Sequence, residues 1–212
     1  MQIVFGPVSS RRFGVSLGVD ISPAQKCCNF DCVYCELTVA KPVTAIKNPP
    51  SVEQVIAEVK AALAAHPHVD VITLTANGEP TLYPDLARLA RELNLIKGHA
   101  KTLILSNGSG VLDPQICEAL KGLDIVKFSL DSAVQKTFAR MDRSGEKIDI
   151  DELVGAMAKF RREFKGELVL EILVVKGLND TKVEFEALNA ALNKILPARV
   201  DISTIDRPPA YP

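Results

Sequence analysis

Apolar residues recur along this chain with two periods that alternate. Six short runs are rich in β-branched residues and bounded by Gly, Pro, Asn or Asp: VSLGVDI (15–21), VDVITLT (69–75), KTLILS (101–106), DIVKFSL (124–130), ELVLEILVV (167–175) and ARVDIST (198–204). Each predicts a strand. Between them the period lengthens to that of a helix. Ser51 and Gln54 make a capping box ahead of a stripe of Val52, Val55, Ile56, Val59 and Leu63, which predicts a helix over 51–65. Leu86, Leu89, Leu93 and Ile96 predict a second over 85–96. Asp113 and Pro114 read as the cap and first position of a third. A short fourth is expected over 133–141. Leu153, Met157, Phe160 and Phe164 share one face of a fifth over 151–164, and Thr181 and Glu184 cap a sixth that carries Leu188, Leu192 and Ile195.

This alternation makes the expected fold class α/β, a parallel sheet with helices packed outside it. Six strands fall short of the eight of a closed barrel, so the expected architecture is a partial (βα)6 TIM-like barrel, open on one side. The chain reads as a single domain over 1–212. Residues 1–14 form an N-terminal extension, 205–212 an extended C-terminal tail over the surface, and the Pro-rich stretch 42–50 a loop.

The faces of two strands carry chemistry. In DIVKFSLD, Val126, Phe128 and Leu130 form an apolar face that should meet the helices. Lys127, Ser129 and Asp131 then look into the concave side. In LVLEILVV, Glu171 lies among apolar neighbours. A carboxylate there needs a cationic partner or a wet cavity, and Lys127 is the nearest candidate by strand order.

Composition changes this picture little. The net charge of −1 carries no general affinity for polyanions. No apolar stretch reaches the roughly 20 residues of a membrane span, and no signal peptide precedes the first strand-like run. A cytoplasmic protein with reduced thiols is expected, and an odd count of five cysteines argues against a disulfide framework.

Four of those cysteines fall within KCCNFDCVYCEL (26–37). Cys28, Cys32 and Cys35 are spaced C-x3-C-x2-C. Three thiolates on one tight loop can hold three irons of a [4Fe–4S] cube and leave the fourth iron open to chelate a small molecule. A structural zinc site wants four ligands. Cys27 is a candidate fourth, although adjacent cysteines do not readily face one metal, and His66 and His68 flank Pro67 in a predicted loop. Cys117 reads as a small core hydrophobe.

The later motifs add to the cysteines in order. NGEP (77–80) follows the second predicted strand, SNG (106–108) ends the third, SLD (129–131) ends the fourth and VVKGLND (174–180) follows the fifth. Together with Tyr34 just before the third cysteine, this pattern resembles the radical S-adenosylmethionine (SAM) superfamily over nearly the whole chain. It departs from that family's Gly-Gly-Glu-Pro turn at Asn77. The stretch 5–37 further resembles the branch that includes the wyosine-base synthases, which modify a guanosine in transfer RNA. The three further cysteines of their second cluster have no counterpart before Cys27.

The resemblance implies a radical SAM enzyme. Cys28, Cys32 and Cys35 would ligate a [4Fe–4S] cluster, and SAM would be cleaved reductively to a 5′-deoxyadenosyl radical. Tyr34 would lie near the adenine. Gly78, Glu79 and Pro80 would meet the methionine amino group, and Ser106, Asn107, Ser129 and Asp131 would hold ribose or carboxylate. Glu171 and Lys127 are candidate catalytic residues, and Arg11 and Arg12 are candidate contacts for an anionic substrate group or a solvated pair. An electron donor such as flavodoxin or ferredoxin is implied as a partner. The substrate leans to RNA, with a small molecule, a peptide or a glycyl-radical partner as alternatives. From a different class, a non-catalytic iron–sulfur or zinc protein would need a closed four-ligand site.

Overall fold

The structure, a computed structural model, describes residues 2–211. The elements run β1 (Val4–Ser10), β2 (Gly14–Asp20), α1 (Val52–Ala65), β3 (Val71–Thr75), α2 (Leu86–Ile96), β4 (Lys101–Ser106), α3 (Pro114–Leu120), β5 (Ile125–Ser129), α4 (Gln135–Met141), α5 (Ile150–Glu163), β6 (Glu167–Val174), α6 (Lys182–Ile195) and β7 (Arg199–Thr204). All seven strands lie in one sheet in sequence order. Strands β2 to β7 run parallel to one another. This is the expected α/β architecture with one strand more than the pattern predicts.

The extra strand is β1, within the stretch read as an extension. It pairs antiparallel with β2, and its register shifts between Phe5 and Val8. Gly6-Pro7 interrupts the alternation that would have marked it. A proline is tolerated there because β1 is an edge strand and the irregularity removes the need for a ladder N–H at that point.

Local chemistry sets the helix starts. Ser51 and Gln54 exchange both bonds of the capping box, and Asp113 accepts from the Gln115 N–H with Pro114 at the first helical position. Inside the sheet, alternation decides the faces. Phe128 is fully buried on the helix side, its ring centroid 5.6 Å from that of Phe160 on α5, and Val126 and Leu130 join the same core. On the concave side, Val71, Leu103, Ile125 and Val169 make a second, smaller apolar cluster with Phe13 and Leu105 against it.

The turn between β1 and β2 shows how far the sheet curls. It belongs to the first edge, yet Arg12 reaches Glu171 on β6 and Asp201 on β7. The guanidinium of Arg199, on β7, lies 4.7 Å from the centre of the Phe13 ring. Only a sheet rolled into a half-barrel brings its first turn against its last strands. Among the described residues no helix is long and apolar enough to cross a membrane.

Candidate active site

The cysteine loop leaves the C-terminal end of β2 and is tied down by three separate segments. The first is the turn after β3. Cys27 and Gly78 form a parallel bridge, in which the Cys27 N–H donates to the Asn77 carbonyl (2.8 Å) and the Glu79 N–H to the Cys27 carbonyl (2.9 Å). Cys27 is thereby turned into the core and is 1% exposed, whereas Cys28, Cys32 and Cys35 are half-buried and free.

The second segment follows α4. Phe30 bridges Ser144, the Val33 N–H donates to the Met141 carbonyl (2.8 Å), and Arg143 Nε donates to the Asp31 carbonyl (2.6 Å). The third is the C-terminal tail. The Ala210 N–H donates to the Cys35 carbonyl (2.8 Å), the Tyr211 hydroxyl to Asp31 (2.6 Å), and Arg207 to both oxygens of Glu36 (2.9 Å each). The tail read as extended over the surface is therefore docked on the cysteine loop.

Behind the loop, the strand ends are knitted by buried carboxylates. Glu79 accepts from the Thr81 N–H and hydroxyl, the Ser106 hydroxyl (2.7 Å) and the Asn107 N–H (2.7 Å). Burial raises its pKa, with the Asn107 N–H opposing. Ser106 also accepts from the Gly108 N–H; its hydroxyl braces the β3 and β4 ends. Asn107 carries the network forward, donating to Asn29 of the loop (2.8 Å), which in turn donates to Ser109.

Asp131, after β5, is 2% exposed. It accepts from the Leu173 N–H (2.7 Å) and from the Tyr34 hydroxyl. Asp142 stands on the other side of the same phenol (3.1 Å) and 3.6 Å from Cys32 Sγ. Burial pushes both carboxyls up, with the charge of Glu171 adding to it at Asp131 and that of Asp131 adding to it at Asp142, and Tyr34 is raised by burial and by both of them. Fully buried Asn179 ties the Asp131 carbonyl (2.6 Å) to that of Leu173 (2.9 Å). Pro80 starts a short 3-10 turn, and Ser129 faces the concave side half-buried, with no side-chain hydrogen bond among the described residues.

Lys127 and Glu171 do meet, as strand order suggests, in a close ion pair on the concave face. Arg12 Nη1 adds a second cation to Glu171 at 2.5 Å. Burial would raise the Glu171 pKa, but the charges of Lys127 and Arg12 outweigh it and the net shift is downward. Asp142 and Arg143 carry no motif or period of their own, and Asn29, Asn179 and Asp201 lie within quoted stretches that gave them no role. Their places depend on which loops the fold brings together.

The surroundings of the thiols bear on whether they suit an iron–sulfur group. The Phe30 N–H lies 3.4 Å from Cys28 Sγ and the Lys26 ammonium 3.5 Å from Cys35 Sγ. Donors aimed at sulfur favour the thiolate that a metal requires. Burial pushes Cys28 up to about 12, partly opposed by the Phe30 N–H, and pushes Cys32 well above the ordinary thiol range with Asp142 adding to it. Burial therefore disfavours the thiolate forms of Cys28 and Cys32 in the metal-free protein. Among the described residues no three His, Cys, Asp or Glu side chains converge on one ion position. A single zinc would require that convergence; thiolates that each bind a different iron would not. The donor set fits a cluster.

Residues 22–187 match the family model described as the Radical SAM superfamily. A UPF0026 protein of Helicobacter pylori is 47% identical over 212 residues, covering all of this chain and 68% of that one. Among solved structures, a radical SAM methyltransferase from Sphaerobacter thermophilus superposes with a TM-score of 0.62 at 16% identity, over 89% of this chain and 55% of that one. Archaeal TYW1 superposes at 0.50 and 17% identity, over 83% and 61%. At those identities the likeness is one of fold, and the chain spans only just over half of each solved structure.

Proposed function

The chain belongs to the radical SAM superfamily, and on that premise we propose that Cys28, Cys32 and Cys35 hold a [4Fe–4S] cluster beside SAM at the C-terminal ends of the strands. When bound, these groups would supply the chemistry, one-electron reductive cleavage of SAM and hydrogen-atom abstraction from the substrate. The protein's part is to bind, orient and exclude water. The observation that carries the reading is the bridge between Cys27 and Gly78, which locks the cysteine loop against the NGEP turn.

Each residue then has a task. Gly78 offers its carbonyl to the methionine amino group; among the described residues it is the one of Gly78, Glu79 and Pro80 whose carbonyl has no hydrogen-bond donor. Glu79 and Ser106 hold that turn rigid. Tyr34, gripped by Asp131 and Asp142, presents its ring to the adenine. Asn107 contacts ribose or carboxylate from the end of β4, and Ser129 has the uncommitted hydroxyl. Glu171 and Lys127, with Arg12, line the concave face where substrate enters. The chain acts as one domain over 1–212, in the cytoplasm, with a flavodoxin or ferredoxin as electron donor. The substrate lean is to RNA, supported by the likeness of residues 5–37 to wyosine-base synthases; a small molecule, a peptide or a glycyl-radical partner are the rival arms.

The test is anaerobic reconstitution with iron and sulfide, then dithionite and SAM. Release of 5′-deoxyadenosine is expected. Cys28→Ser, Cys32→Ser and Cys35→Ser should each abolish it, and Cys27→Ser should keep about four irons per chain. A cluster spectrum that SAM does not perturb, with no 5′-deoxyadenosine, would instead identify a closed, non-catalytic iron–sulfur site. RNA co-purifying with the protein, and losing a modification-ready base on turnover, separates the substrate arms.

A further inference from the structure

We propose that the C-terminal tail positions Cys35, the last cysteine of the loop, and so completes the cluster site. The inference rests on reading Cys35 as a cluster ligand.

Cys28 is anchored on both sides by backbone: its neighbour Cys27 is bridged to Gly78, and its own carbonyl accepts from the Val43 N–H (2.8 Å). The approach to Cys32 is anchored by the segment after α4, through Asp31 and Val33. Cys35 is different. Its N–H closes a turn within the loop, onto the Cys32 carbonyl (3.1 Å). Among the described residues, the only main-chain group from outside the loop that bonds to Cys35 is the Ala210 N–H. Two further tail contacts bracket the same segment. The Tyr211 hydroxyl holds Asp31, before Cys32, and Arg207 holds Glu36, after Cys35. The Arg143 guanidinium, 4.2 Å from the centre of the Tyr211 ring, clamps the tail to the segment that already holds the middle of the loop.

These contacts are not equal. The Arg207 and Glu36 side chains are 73% and 47% exposed, so their attraction is screened and contributes little. The backbone bond at Ala210 and the stacked, hydrogen-bonded Tyr211 carry the positioning. Remove them, and the Cys35 peptide is free to rotate its thiol away while Cys28 stays where Gly78 puts it.

The experiment compares the full chain with a chain ending at Asp206, with Ala210→Pro, which deletes the N–H donor and fixes φ at that position, and with Ala210→Gly as the conservative control. In the metal-free proteins, iodoacetamide alkylation of Cys35 relative to Cys28 in the same chain is followed by mass spectrometry. Losing one or two hydrogen bonds should raise that ratio about tenfold in the shortened chain and a few-fold in Ala210→Pro. Ala210→Gly should match the full chain. After reconstitution, the shortened chain should release iron to a chelator about tenfold faster than the full chain. An unchanged Cys35-to-Cys28 ratio overturns the proposal. So does an equal rise at every thiol, which would mark general loosening. A full chain that takes up no iron through Cys35 defeats the cofactor reading, while the metal-free thiol ratio still decides the role of the tail.

Discussion

Gly78 is where one residue governs two loops. Its φ is +137°, and a Cβ added there would fall 1.8 Å from the Cys27 carbonyl oxygen. Gly78→Ala must therefore break the bridge that seats the cysteine loop. The backbone conformation alone costs about 1–3 kcal/mol for a residue with a side chain, and the clash with main-chain atoms adds to it. Gly98 separates the two effects: its φ is +59° and nothing lies within 4 Å of an added Cβ. Gly98→Ala should cost only about 1 kcal/mol, and the urea midpoints of the two variants should differ accordingly. At this scale Asp131 also changes character. Alternation places it on the polar face, but it is buried with both oxygens engaged. Asp131→Ala would leave the Leu173 N–H without its acceptor and the Tyr34 phenol with Asp142 alone, so it should destabilise the protein as well as weaken cofactor binding.

Strand β5 shows how one element serves a core and a site at once. Its odd positions, Ile125, Lys127 and Ser129, face the concave side, and Val126 and Phe128 face α5. Phe128→Ala removes a fully buried ring in contact with Phe160 and should cost about 3–5 kcal/mol. Ser129→Ala, one position along, should change stability by no more than about 0.5 kcal/mol, because its hydroxyl bonds to no described side chain. Chemical denaturation of the pair checks the assignment of faces. A larger loss for Ser129→Ala than for Phe128→Ala would mean that the strand is turned the other way.

Across the whole molecule, the hairpin turn at Arg12 and Phe13 closes the concave side by joining the first edge of the sheet to its last strands. Glu171 is the hinge of that closure, bonded to Lys127 and Arg12, with side chains 21%, 11% and 36% exposed. Its pKa is lowered on folding, so its contribution is present above the unfolded value near 4.5 and fades as pH falls through that value toward the folded one. Glu171→Gln should cost about 1.5–3 kcal/mol at neutral pH, the range for hydrogen bonds to charged groups. The gap between the two proteins should shrink as the pH falls below about 4.5. Urea unfolding at a series of pH values measures it; a gap that stays constant down to about pH 3 would remove the ion pair from the account.

The sequence by itself determined the elements that repeat and the ligands that are spaced. The period of the apolar residues in β5, the Ser51–Gln54 cap and the Asp113-Pro114 start are local choices, made by side chains against their own backbone, and the structure has them where the pattern does. The C-x3-C-x2-C spacing and the order of NGEP, SNG and SLD are local as well, and they named the family. Tertiary structure alone decided what holds those motifs in place. Strand β1 was illegible because Gly6-Pro7 breaks its period. Asp142, Arg143 and Asn29 were illegible because a loop residue has no period to break. The tail was read as lying on the surface because its contacts, Ala210 to Cys35 and Tyr211 to Asp31, join positions 175 and 180 residues apart. Such contacts exist only once the sheet has curled and brought its last strand back beside its first loop.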